Sequence, residues 1–236
     1  MGDLAAMLPW LFGLGIVAVL VVGFMRERKR RDRLMQFATM RGWTYVAEDP
    51  RLVDRWPGEP FGRGDNARAR NVLGGTESGR PFTAFDYSYE THSTDSKGNR
   101  TTSTHRWMVC VVPMQGFLGQ VQVVPESALD RLAGAVGLAS DINLESEDFN
   151  RKFRVSASSP KLASDILTPR TMQYLIGVDA GAWRTCGSDL VGFRQGTLDP
   201  ADVVRTCSVL GQVQAGIPSF VWKDAGGTAT GYSPGP

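Results

Sequence analysis

Few residues in this sequence can ligate a metal or attack a carbonyl, and they are scattered. It holds two histidines, His92 and His105, and three cysteines, Cys110, Cys186 and Cys207. Zinc takes three or four closely placed ligands. Two isolated histidines and cysteines without a C-x-x-C pair do not supply them, so no metal and no cofactor are expected. An odd number of widely spaced cysteines is not a disulfide framework either, and fits buried, inert thiols in a reducing compartment. No G-x-S-x-G elbow occurs, and no catalytic residue is assigned. Of the glycine-rich pieces, FGRGDN (61–66) lacks the third glycine and following helix of a dinucleotide loop, VLGGTESGR (72–80) has three glycines between two strands, and no phosphate-binding P-loop is present. The second piece reads as a hairpin turn, and the acidic run ESED (145–148) as an exposed loop. What remains for a small-molecule pocket is a group of polar and aromatic residues on one predicted hairpin: Asp86, Tyr87, Tyr89 and His105.

Those four residues need an element to position them. Residues 79–93 and 100–113 both read as strands, joined by TDSKGN. With Ser96, Lys97 and Gly98 as a three-residue loop, Gly98 takes the left-handed position such hairpins require. Asp95 then faces Asn99, Tyr89 faces His105, Tyr87 faces Trp107 and Phe85 faces Val109. One face of the hairpin is aromatic and aliphatic. A slip of one residue would turn that face outward.

The rest of the chain supplies more strands and short helices. Strands are expected at 43–48, 68–74, 120–126 and 149–157. A hairpin is expected at 183–196, turning around Gly187-Ser188-Asp189. Helices are expected at 127–137, capped by Ser127 and stopped by Gly137, and in tandem after Ser159-Pro160 and Thr168-Pro169. A last helix follows Asp199-Pro200. Residues 54–67 read as a Gly/Pro-rich loop. Runs of strands with helices between and after them, without strict alternation, give an α+β, largely antiparallel domain.

Ahead of this domain, residues 4–25 are 22 residues without a charge. At ~1.5 Å per residue they span roughly 33 Å, enough for a hydrocarbon core. The expected fold class is therefore α+β with an N-terminal single transmembrane helix, followed by a mostly antiparallel sheet domain with short helices. The block RERKRRDR (26–33) holds six basic and two acidic residues, whereas residues 34–236 carry 20 basic and 21 acidic ones. A basic nucleic-acid domain is excluded, since the positive charge sits in one short block. Arg26, Arg28, Lys29, Arg30, Arg31 and Arg33 act as a topology signal and meet anionic headgroups. This places the N-terminus outside and the domain in the cytoplasm, at the inner cell membrane. The expected divisions are a tail and transmembrane helix (1–25), a basic juxtamembrane helix (26–42) stopped by Gly42, a cytoplasmic α+β domain (43–222) and a disordered tail (223–236).

One segment has a family likeness. Phe149-Asn150-x-x-Phe153-x-Val155, then Pro160-x-x-Ala163-x-x-x-Leu167-Thr168-Pro169 and Met172, resembles a motif of an uncharacterised family of bacterial membrane-anchored proteins common in actinobacteria. Gly42-Trp43-x-Tyr45 and Phe85-x-Tyr87-x-Tyr89 are also similar. Ser159 stands where that family usually has Asp, which keeps a helix cap and loses a charge. The resemblance implies a membrane anchor and a domain of unknown function, and brings no catalytic residues. The expected function is thus a single-pass membrane protein whose domain binds a protein partner or the membrane surface, with the lipid bilayer as a partner and nucleic acid excluded. The alternative is a membrane-tethered enzyme or small-ligand-binding domain.

Overall fold

Seven stretches of alternating or continuous apolar residues, separated by glycine turns and capped short helices, assemble in antiparallel fashion into one sheet. The computed structural model describes residues 2–132 and 142–224. Side chains are described except at 1–17, 20, 130–141 and 224. The chain divides into two units, Met1–Gly42 and Trp43–Pro236.

The first unit is one helix, α1 (Gly2–Arg41). Gly42 stops it, with φ +67 and its amide on the Thr39 carbonyl. The expected fold class is corrected here. Among the described residues no helix is long and apolar enough to cross a membrane. Any long window of described side chains on α1 takes in the charged block at 26–33.

In the second unit the strands are β1 (Thr44–Glu48), β2 (Asp65–Glu77), β3 (Arg80–Thr94), β4 (Arg100–Leu118), β5 (Val121–Pro125), β6 (Phe153–Ala157) and β7 (Ala182–Gln195). Their spatial order is β1-β2-β3-β4-β7-β5-β6, and every pairing is antiparallel. The β3–β4 hairpin has the expected register: Tyr89 opposite His105, Tyr87 opposite Trp107 and Phe85 opposite Val109. Its turn closes through Asp95, with Gly98 at φ +83. The β2–β3 turn is Ser78-Gly79, both at positive φ, with Glu77 opposite Arg80. The hairpin expected at 183–196 is not formed: β7 is one strand through Gly187 (φ +63), and its arms pair with β4 and β5 rather than with each other. The strand is bent sharply, since the Arg184 guanidinium lies 5.5 Å from the Phe193 ring centre and Arg194 binds Asp179.

Period-two alternation gives the sheet two buried faces. One carries Phe85, Tyr87, Tyr89, Trp107, Val109 and Phe193, with Trp56 and Phe61 of the 50–64 segment packed on them. The other receives α5 (Pro200–Gly216), where Gly192 leaves room for Thr206 and Leu210. Helices α3 (Pro160–Ile166) and α4 (Pro169–Gly177) carry the expected caps, Ser159 and Thr168, each with Pro in the first turn. A last short helix is α6 (Ser219–Asp224).

Other local expectations also change. Residues 149–152 are not strand: they close helix α2 (Glu147–Lys152), since Ser146 caps it and acidic then basic residues suit its two ends. The expected 127–137 helix is a 3₁₀ turn over Glu126–Leu132, and its Gly137 stop lies outside the described residues. Of the tail expected at 223–236, the first two residues belong to α6, and the part from residue 225 lies outside the described residues.

Gly64 marks where the 50–64 segment meets the sheet. It has φ +62, and a Cβ there would collide with the Glu90 carbonyl oxygen and press on the Tyr89 ring. Gly64→Ala is expected to cost roughly 2–4 kcal/mol. Gly98→Ala faces open space at a similarly positive φ, and is expected to cost about 1–2 kcal/mol. Urea denaturation of the two variants should show that order.

Candidate functional site

The four hairpin candidates do not converge. Tyr87, Tyr89 and His105 share the aromatic face, and Asp86 lies on the opposite one. Asp86 serves a structural chain: the Tyr45 hydroxyl donates to Asn71 Oδ1, Asn71 Nδ2 donates to Asp86 Oδ2, and the Leu198 amide donates to Asp86 Oδ1. Asn71, at φ +49, sits in a β2 bulge, so the carboxylate ties that bulge to the segment entering α5. Tyr87 is fully buried, 4.8 Å from the Phe61 ring. Burial first, then the Asp54 carboxylate, pushes its pKa up to about 12. Its hydroxyl lies near the Gly62 backbone without an aligned partner among the described residues. Burial also raises Tyr89, which stacks on His105 at 4.8 Å. His105 in turn bonds the Thr91 hydroxyl, whereas His92 bonds Thr102. The tyrosines are packed into the core, and both histidines are hydrogen-bonded. Among the described residues no group of three or more His, Cys, Asp or Glu could hold a metal ion.

What covers the aromatic face is the segment read in the sequence as a loop. It is fastened by Arg184, which is 1% exposed. Its guanidinium donates to the Glu59 carbonyl at 2.7 Å and the Gly58 carbonyl at 2.9 Å. It lies over the rings of Phe61 and Phe193. Burial lowers its pKa, while the Cys186 sulfur and the Glu59 carboxylate push the other way. Trp56 adds a second fastening, its indole N–H donating to Asp189 at 2.9 Å. The loop read at 54–67 holds for 54–64, whereas 65–67 open β2, and the reading missed the burial of the segment. Trp56 and Phe61 among glycines and prolines were the available signal.

Concavity lies elsewhere, where β7 bends. A cavity of about 260 Å³ is walled by Trp107, Phe193 and Ala182, with Arg194, Gln195 and Asp179 as its polar members. A neighbouring cavity of about 320 Å³ adds Arg151, Lys152 and Ile176. Both are lined by Pro125, Ser127 and Asp179, so the two adjoin, and the first, a groove with Ser127 also on its rim, carries the aromatic wall. Arg194 and Arg205 both bind Asp179, and the Arg194 hydrogen bond is the largest cause holding that carboxyl below its ordinary range. Arg194 Nε is buried without a partner among the described residues. An aromatic wall beside an Arg–Asp–Gln–Ser rim suits a ligand with one apolar and one hydroxyl-rich end. Sequence reasoning missed this groove because its residues come from four separated segments.

The basic residues sit on α1. Arg26, Arg28, Lys29, Arg31 and Arg33 are exposed, and Arg30 pairs with Glu27 at 3.3 Å. Of the thiols, Cys186 packs beside the aromatic cluster, and burial raises its pKa. Cys110 and Cys207 touch on the opposite face, and the Cys110 thiol is pushed well up by its bond to Cys207 and by burial.

Arg184→Lys keeps a charge but cannot bridge two carbonyls. It is expected to cost roughly 2–4 kcal/mol and to open the 50–64 segment to chymotrypsin at Trp56 and Phe61. Limited proteolysis with mass mapping checks this; unchanged cleavage would refute the fastening role.

No family model and no curated protein matches the chain. Among solved structures, it is similar to the crystal structure of the mycobacterial trehalose monomycolate transport factor A. The identity is 15%, the TM-score 0.55, and the match covers 80% of this chain and 96% of that one. At this identity the likeness concerns the fold: the sheet architecture is shared with that transport factor.

Proposed function

We propose that the protein is a binding module that works at a membrane surface, on the cytoplasmic face of the cell membrane. The observation that carries this reading is the charge distribution. Six basic residues fall within eight positions of one uninterrupted helix, and the rest of the chain after them is of nearly balanced charge. Such a block is attracted to anionic headgroups by ~1 kcal/mol per residue. The shared fold supports the reading, since the solved structure it matches is that of a factor named for transport of a lipid, trehalose monomycolate.

A second reading, small-ligand binding, is favoured by the groove. Its aromatic wall and polar rim fit an amphiphile with a sugar-like head. The enzyme form of that reading is not favoured, because Tyr87, Tyr89 and His105 are buried or partnered and Asp86 is spent on structure.

The test of the first reading is co-sedimentation of the full chain with vesicles of phosphatidylcholine, with and without phosphatidylglycerol. Replacing Arg26, Arg28, Lys29, Arg30, Arg31 and Arg33 with Gln is expected to lower the affinity for the anionic vesicles by about tenfold or more. Binding to the neutral vesicles should stay unchanged. Equal binding of both forms to both vesicles would overturn it. For the groove, an alkyl glucoside below its micelle concentration is expected to raise Tm, and Ser127→Trp, which fills the groove, to abolish that rise. A rise that survives this substitution would remove the groove reading.

A further inference from the structure

The face of the sheet opposite the aromatic cluster is built around two sulfur atoms. On β4, Val109 and Val111 point into the aromatic cluster, so Cys110 between them points to the other side. Helix α5 lies close against that side because Gly192 has no side chain: a Cβ there would meet Thr206 at 2.7 Å and Leu210 at 3.3 Å. This approach brings Cys207 of α5 onto Cys110, with the sulfurs 3.3 Å apart and both residues buried. They are separated by 97 positions in the chain. The third thiol, Cys186, packs with the aromatic cluster and is separated from the pair by the sheet.

We propose that Cys110 and Cys207 form a latch closed by oxidation, in which a peroxide converts the thiol contact into a disulfide that pins α5 to the centre of the sheet. A disulfide needs the sulfurs to approach by roughly 1.3 Å, within reach of small side-chain rotations. Cys207 is 6% exposed and Cys110 fully buried, which sets the order of events. The Cys207 sulfur, on losing its proton, attacks one peroxide oxygen. The O–O bond breaks, a sulfenic acid forms, and the leaving hydroxide takes up the proton as water. The Cys110 sulfur then gives up its proton and attacks the Cys207 sulfur. The S–S bond forms, the S–O bond breaks, and a second water leaves. Two thiols are oxidised by two electrons and one peroxide is reduced to two waters. A dithiol reductant reverses the change. The reduced pair is shielded, so the latch responds to sustained oxidant rather than to brief exposure. Helix α5 also carries Arg205, which binds Asp179 in the groove, so the latch fixes the element that supports one groove wall. The inference rests on the thiol geometry and stands independently of the ligand reading.

The test treats the full chain with hydrogen peroxide, then counts alkylatable thiols in denaturant and maps disulfide peptides by mass. The expected result is one reactive thiol, Cys186, a peptide joining Cys110 to Cys207, and a Tm on the order of 5–10 °C above that of the reduced protein. Cys186→Ser should leave the cross-link intact, and Cys207→Ser should remove both the cross-link and the Tm shift. Three thiols still alkylatable, a cross-link through Cys186 or between chains, or a Cys207 sulfinic acid without the disulfide would each overturn the latch.

Discussion

A single buried guanidinium holds this domain together. Arg184 sits between Phe61 and Phe193 and donates to two successive carbonyls, those of Gly58 and Glu59. Hydrogen bonds to a charged donor contribute about 1.5–3 kcal/mol each when made, and a charge left without them in this position would be costly. Arg184 therefore works only when the 50–64 segment is seated. In turn, that segment is the cover of the aromatic face. Without it, Phe85, Tyr87 and Tyr89 would face water, and the central strands would lose one of their two apolar layers. The dependence runs both ways: the cover satisfies the cation, and the cation fixes the cover.

The position of Arg184 follows from the bend of β7 at Gly187. Because the strand bends there, Arg184 comes over Phe193 and Asp179 meets Arg194. The fastening of the cover and the polar rim of the groove are thus two results of one bend. Ala182 and Gln195, from the two ends of the strand, both line the groove, with Pro125 and Ser127. On the other face of the sheet, the missing side chain of Gly192 lets α5 approach closely. Close approach of this kind leaves little freedom for substitution, because cores are packed to crystal-like density.

Much of the fold was legible because local rules agreed with one another. The three-residue loop with Gly98 and the paired alternation together indicated the β3–β4 register, since a slip of one residue would have turned Tyr87 and Trp107 outward. Ser159-Pro160, Thr168-Pro169 and Asp199-Pro200 carry cap and first-turn chemistry that few non-helical segments share. The failures occurred where short-range signals competed. Phe149 and Phe153 alternate like a strand, yet the Ser146 cap and the charge order of 147–152 win over four residues. The apolar N-terminal run was read as a membrane span, whereas the described helix carries its charged block without a break. The site was legible only residue by residue. Tyr89 beside His105 was foreseen, but no period or motif shows that Trp107, Asp179 and Ser127 meet. That meeting depends on the bend of β7 and on contacts distant in sequence.

The internal spending of polar groups bears on what the molecule can do. Asp86 is saturated by Asn71 and the Leu198 amide, Asp189 by Trp56 and Arg55, and both histidines bond threonine hydroxyls. A general acid must give, and a general base take, a proton at low cost, and groups locked in such pairs cannot do so without disturbing the packing. Among the polar groups left facing outward are the groove rim and the basic segment of α1. In the proposed function the two would differ in range: the helix charge acts over about a Debye length, whereas a groove acts only at contact.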